Sequence, residues 1–101
     1  MKLKCARYMK ALGDDTRVGI LRLLLRRPQF VSDLAKKIGA SVATTSYHLH
    51  VMRNAGLLVE ERQGLKVRYG VSPEILKAAN DELLDFGCCK LAFPRRRTAS
   101  R

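Results

Sequence analysis

The chain has 101 residues, 47% of them apolar, and carries 20 Lys and Arg against 9 Asp and Glu, a net charge of +11. That length allows one domain around a modest core, to which a second copy would add useful burial. No run nears the ~18–20 apolar residues of a membrane span, and the basic start Met1–Arg7 leads into no apolar stretch such as a secretory signal needs, so a cytosolic address is expected and a membrane partner is not.

Residues 4–12 form a short helical segment ending near Gly13. Asp14 or Asp15 then caps a helix whose apolar residues fall at Val18, Ile20, Leu21, Leu24 and Leu25, with Leu23 widening the stripe. Arg17, Arg22 and Arg26 lie on its polar side, and Pro28 stops it. Residues 32–38 make a helix of barely two turns, closed by Gly39 in the left-handed conformation. Ser41 caps the next helix, which carries Val42, Leu49 and Met52 and runs through Ala55 to Gly56. Two short helices joined by Gly39-Ala40-Ser41 spell a helix-turn-helix.

The period then changes from helix to strand. Residues 57–62 and 65–71 read as two strands around Gln63-Gly64, with Leu65, Val67, Tyr69 and Val71 on one face and Lys66 and Arg68 on the other. Ser72-Pro73-Glu74 spells a helix start: a cap, a proline at the first position and an acid in the first turn. The helix expected after it bears Leu76, Ala79, Leu83 and Phe86 at coiled-coil-like spacing, a seam that is either core within one chain or contact with a second copy, the second being favoured because a chain this short has few other places to bury it. The fold expected is mostly α with a small β-hairpin (α+β), a winged helix-turn-helix in the order α-α-α-α-β-β-α. Its domain covers residues 1–93, and the basic segment 94–101 has a composition that buries nothing.

The charge is unevenly spread. Residues 1–72 hold 14 Lys and Arg against 5 Asp and Glu, whereas 73–87 hold one Lys against Glu74, Asp81, Glu82 and Asp85. A cationic body with one acidic amphipathic segment points to a polyanion-facing side and a separate packing side. In a helix-turn-helix the start of the second helix meets base edges. Here Val42, Ala43, Thr44, Ser46 and Tyr47 stand at that start, with His50 further along. Ser46 and Tyr47 can hydrogen-bond to bases or phosphates, while Val42 and Ala43 suit a thymine methyl or a close backbone approach. Thr44, Thr45 and Ser46 are poor helix formers, better explained by a groove than by helix stability. Arg62, Lys66 and Arg68 surround the hairpin tip and suit phosphates or the minor groove. The alternatives are a solvated polar face, solubilising surface charge and, for His48, a hydrogen-bonded core histidine.

Residues 11–17 (Ala-Leu-Gly-Asp-Asp-Thr-Arg), Asp33-Leu34-Ala35, residues 41–49 (Ser-Val-Ala-Thr-Thr-Ser-Tyr-His-Leu) and Arg53-Asn54-Ala55-Gly56-Leu57 together resemble the ArsR/SmtB family of bacterial repressors, in order over residues 8–87. The resemblance implies a winged-helix homodimer held by its first and last helices. It also implies a double-stranded DNA operator of imperfect inverted repeats, an inducer that lifts repression, and base-facing positions at Val42, Ala43, Ser46 and Tyr47. Three departures stand out. Phe30-Val31-Ser32 replaces the Cys-Val-Cys run of the arsenic and cadmium sensors. The last helix lacks the histidines of the zinc and nickel sensors. Val42 stands where a polar residue is usual.

Cys5, Cys88 and Cys89 cannot all pair within one chain and are expected as thiols in a reducing compartment. Soft thiolates suit arsenite and similar ions. Neighbouring helical residues lie about 100° apart, but a helix ending at Gly87 would let Cys88 and Cys89 converge on one As(III) ion. On the resemblance, Cys5 would join from the first helix of either copy. The alternative is Cys88 packed as a small hydrophobe, in helical register with Leu84 and Leu91. No motif calls for a required cofactor. The chain shows no Gly-rich phosphate loop, no paired-carboxylate pattern and no Ser-His-Asp order, so an enzyme is not expected. The competing reading is a winged-helix protein-interaction or RNA-associated module, which the apolar Val42 and Ala43 keep open.

Overall fold

Asp14 divides the chain's first helix from its second. In the computed structural model, which describes residues 3–80 and 82–93, α1 (Leu3–Ala11) ends just before it and α2 (Asp15–Arg26) begins just after it. Its extended backbone lets the carboxylate accept the Arg17 backbone N–H at 3.1 Å, satisfying one of the amides a helix start leaves open. That hydrogen bond holds the Asp14 pKa below the usual aspartate value.

The chain continues through β1 (Gln29–Phe30), α3 (Val31–Ile38), α4 (Val42–Asn54), β2 (Leu58–Gln63), β3 (Lys66–Val71), α5 (Pro73–Lys77), β4 (Leu83–Asp85) and β5 (Lys90–Ala92). Gly39, at φ 71°, turns α3 into α4: its own N–H reaches the Lys36 carbonyl, and the Ala40 N–H reaches that of Ala35. Gly56, at φ 91°, ends α4 in the same manner, with the Leu57 N–H on the Met52 carbonyl. Both are left-handed helix stops that favour glycine.

The wing is antiparallel, with register running from Leu58↔Val71 to Gln63↔Lys66. β1 adds a third strand on the other side of β3 through Gln29↔Tyr69 and Phe30↔Arg68. The core gathers Ile20, Leu21 and Leu24 of α2, Leu34 of α3, Leu49 and Met52 of α4, and Leu57, Leu58, Tyr69 and Val71 of the wing base. A two-stranded hairpin is marginal alone; here its base is part of the core, which fixes the wing's angle to the helices.

Four expectations are corrected. The final helix stops at Lys77 instead of running past Phe86. The Asn80 side-chain carbonyl accepts the backbone N–H groups of Glu82 and Leu83 at 2.9 and 2.8 Å, a local alternative that competes with helix. A short hairpin follows, with Leu83↔Ala92, Leu84↔Leu91 and Asp85↔Lys90 paired and Gly87 at φ 92° in its turn. The seam of Leu76, Ala79, Leu83 and Phe86 is therefore not one helical face. Leu76 is exposed on α5, Ala79 bridges to Leu84, Leu83 lies on β4, and the Phe86 ring packs 5.2 Å from that of Tyr8.

Ser72 precedes α5 but makes no capping bond, and its hydroxyl is buried without a hydrogen-bond partner among the described residues. Leu65, expected on the same face of the wing as Val67, Tyr69 and Val71, is fully exposed while Tyr69 and Val71 are buried. It follows Gly64 in the turn, outside the ladder that closes at Gln63↔Lys66. The segment 94–101, expected as a basic tail, lies outside the described residues, as does Asp81. Among the described residues, no helix is long and apolar enough to cross a membrane.

Candidate nucleic-acid interface

Ser41 sets the start of α4. Its hydroxyl accepts the Thr44 N–H at 3.0 Å, and the Thr45 hydroxyl donates to the Ser41 carbonyl at 2.8 Å. The second bond lets Thr45 be buried with its polar atom satisfied, so Thr45, Leu49 and Met52 form the inward stripe of the helix. The same rotation sends Val42, Ala43, Thr44, Tyr47 and His50 outward. Val42 is 54% exposed and Tyr47 60% exposed, large values for an apolar and an aromatic side chain. Ser46 is half-buried at the edge of this face.

His48 points along the body of the protein. Its Nδ1 accepts from Arg17 Nε at 3.1 Å, while the other side of the guanidinium donates to the Ala11 carbonyl at 3.3 Å. The Arg17 guanidinium carbon also lies 5.8 Å from the centre of the Tyr47 ring, within cation–π range. One arginine on α2 therefore joins the end of α1 to two consecutive residues of α4. Sequence reasoning left His48 open between two roles and did not single out Arg17. The only local signal was its place three residues after the Asp14 cap, which explains its backbone amide and not its side chain.

The wing cations separate into two kinds. Arg68 is half-buried and bonded to Glu61 on the facing strand, through Nε at 2.9 Å and through its terminal nitrogen. Lys66 lies 5.3 Å from the centre of the Phe30 ring. Arg62 is exposed and makes no hydrogen bond or ion pair among the described residues. Arg53 of α4 reaches Glu60 of β2 at 2.7 Å, and the Tyr69 hydroxyl donates to the same carboxylate at 3.2 Å. Burial, and then the Glu60 charge, push the Tyr69 pKa up. These bonds tie the far end of α4 to the root of the wing.

The cysteines meet at the opposite end of the chain's path. Cys5 on α1 and Cys88 in the β4–β5 turn are joined by a disulfide, with Cα atoms 6.3 Å apart, in place of the thiols the sequence led us to expect. The Cys89 sulfur lies 4.0 Å from that of Cys88 and 3.5 Å from Met9 Sδ. All three cysteines thus converge within one copy, brought together by α1 and the hairpin. With the disulfide closed, the described residues contain no group of three or more His, Cys, Asp or Glu side chains able to hold a metal ion.

Comparison with known proteins gives a consistent picture. The family described as bacterial regulatory protein, arsR family, matches residues 14–59, the stretch from the Asp14 cap to the start of the wing. The chain is 40% identical over 73 residues to a cadmium resistance transcriptional regulatory protein CadC homolog of Staphylococcus aureus, covering 71% of this chain and 60% of that one. It is 40% identical over 67 residues to the arsenical resistance operon repressor of Escherichia coli, covering 65% and 57%. It spans about three-fifths of the length of these two relatives. Among solved structures, the homodimeric winged helix-turn-helix DNA-binding domain Mb0332 of Mycobacterium bovis superposes with a TM-score of 0.69 at 30% identity, over 72% of this chain and 68% of that one.

Proposed function

The chain belongs to the ArsR family of bacterial regulatory proteins, and from that premise we propose that it is a homodimeric, sequence-specific DNA-binding repressor, acting in the cytoplasm and released by an inducer. The observation that carries this reading is the outward face of α4, where Val42, Ala43, Thr44 and Tyr47 stand exposed at the helix start while Thr45, Leu49 and Met52 anchor the other side. An α-helix presented in this manner fits the major groove, where Ser46 and Tyr47 would bond to base edges or phosphates and Val42 and Ala43 would meet thymine methyls. His50 and the exposed Arg62 would add backbone contacts, and Lys66 and Arg68 would do so on leaving Phe30 and Glu61.

A second copy would seat against α1 and α5, each of which carries an exposed apolar side chain, Met9 and Leu76 respectively. Leu83 and Phe86 would support that contact from the hairpin and Ala79 from the end of α5. The relative from Mycobacterium bovis, described as homodimeric, supports the assembly. Two copies would read inverted repeats spaced about 34–36 Å, one turn of the double helix.

The inducer in this reading is a thiophilic species, with arsenite the leading candidate. Once Cys5 and Cys88 are reduced, three thiols stand around one point. Arsenous acid would exchange its three hydroxyls for the sulfurs of Cys5, Cys88 and Cys89, releasing three waters. The cadmium- and arsenic-related names of the two curated relatives support a soft ion.

Selection of bound duplexes from a random pool, followed by titration of the winning duplex at several salt concentrations, tests the DNA reading. Enrichment of an inverted repeat bound at least ~10³-fold more tightly than random duplex is expected. Steep salt dependence with no enriched sequence would favour the protein-interaction or RNA-associated module, which the apolar start of α4 would also serve. Arsenite added to the reduced complex should free the operator, and Cys88→Ser and Cys89→Ser should each abolish that release.

A further inference from the structure

The three sulfurs are not equivalent. Cys5 and Cys88 are bonded to each other with Cα atoms 6.3 Å apart, inside the usual disulfide span of 4.4–6.8 Å. Cys89 is the free thiol, turned toward Met9 Sδ at 3.5 Å and 4.0 Å from the Cys88 sulfur. Adjacent cysteines form a strained bond, whereas α1 and the β4–β5 turn bring Cys5 and Cys88 together without it. Of the three, Cys88 is the exposed one, and Cys5 and Cys89 are half-buried.

The geometry points to Cys5–Cys88 as a reversible oxidation site for a hydroperoxide, whose closure removes two of the three thiols that the inducer site needs. The inference rests on the reading of that site given above. In the oxidation, the Cys88 thiolate attacks one peroxide oxygen, the O–O bond breaks, and a Cys88 sulfenic acid forms as hydroxide leaves. The Cys5 thiolate then attacks the sulfenic sulfur, the S–S bond forms, and a second hydroxide leaves. Two protons, originally on the two thiols, turn both hydroxides into water, and for hydrogen peroxide the balance is two thiols plus H₂O₂ giving one disulfide and two waters. A dithiol reductant reverses it by thiol–disulfide exchange. An accessible thiol beside a resolving one is the arrangement that such chemistry requires.

The consequence is a site with two exclusive states. Open, it offers three thiols to a thiophilic ion. Closed, it offers Cys89 and the Met9 thioether alone, too few to replace the hydroxyls of arsenous acid. Cells under peroxide stress would then hold the regulator in a form that no longer answers to the metalloid, until the thiols are restored.

The test uses the reduced full chain with hydrogen peroxide as the oxidant and arsenite as the probe. Thiol titration should fall from three per chain to one, and peptide mapping should find residue 5 linked to residue 88 in monomer-sized material. Cys89→Ser should still close the bond, and Cys5→Ser should instead leave a dimedone-reactive sulfenic acid at Cys88. After desalting, arsenic should accompany the reduced chain in equimolar amount and be absent from the peroxide-treated one. Three thiols surviving peroxide, or a bond formed mainly through Cys89 or between copies, overturns the inference. So does equal arsenic on both forms. Arsenic absent from the reduced chain would instead sink the inducer site, and the peroxide-closed switch over it, while leaving the thiol count and peptide map to judge the oxidation alone.

Discussion

Arg17 and Tyr69 each join parts of the chain that are distant in sequence, and neither was legible as doing so. Arg17 reaches His48 across 31 residues, and on sequence it is one of three arginines on the polar side of its helix. Its neighbour Arg22 stacks 5.4 Å from the Phe93 ring, so even the polar side of α2 is partly a packing surface. Alternation puts Tyr69 on one face of the wing with Val67 and Val71, yet its hydroxyl bond to Glu60 depends on strand register. Because folding raises the Tyr69 pKa, the folded chain holds this proton more tightly than the unfolded chain does. Stability should therefore be intact below pH ~10 and fall as pH rises from there through the folded-state value. Tyr69→Phe should lose about 0.5–1.5 kcal/mol at pH 7 with its hydrogen bond, but decline less than the parent between pH 9 and 11. Thermal melts across that range check both halves, and parallel declines would show that the hydroxyl does not titrate as its surroundings require.

At the level of elements, four helices and the wing could be read because periodicity, caps and glycine stops agree locally. Asp14, Gly39, Ser41 and Gly56 all sit where the structure uses them. β1 could not be read, since two residues after a proline carry no period and are strand only because β3 lies beside them. The last helix misled for a different reason. Leu76, Ala79, Leu83 and Phe86 fit a helical seam, yet Asn80 and Gly87 supply turn chemistry within it, and strands of three residues are too short to show alternation. The exposed start of α4 followed from its Ser41 cap and was legible, and the resemblance brought Cys5 toward Cys88 and Cys89, whereas the bond between Cys5 and Cys88 depends on the hairpin and was not legible. Ser41 offers a clean test of how far α4 depends on its cap. Ser41→Ala should cost about 1 kcal/mol, lowering Tm by roughly 4–8 °C in a chain of this size, while Ser41→Asn should restore most of it. An unchanged melt for Ser41→Ala would mean that the core contacts of Thr45 and Leu49 set the helix start by themselves.

Across the whole molecule, the disulfide changes the chain's topology more than any other bond, because Cys5 and Cys88 are 83 positions apart. It ties the first helix to the closing hairpin, and a two-stranded hairpin is the kind of element that needs such support. Leu84 and Phe93 anchor the hairpin in the core, and the Tyr8–Phe86 contact holds it against α1, so the reduced chain should keep its fold. What the bond removes is freedom in the unfolded chain, and disulfides typically stabilise by about 2–4 kcal/mol in this way. With each kcal/mol worth about 4–8 °C, the oxidised protein should melt roughly 8–32 °C above the reduced one. Cys89→Ser should reproduce that difference, whereas Cys5→Ser and Cys88→Ser should melt alike with or without reductant. A parent chain whose Tm ignores reductant would mean that the hairpin is already pinned as tightly by Leu84, Phe86 and Phe93, and that closing the bond constrains little that the core had not.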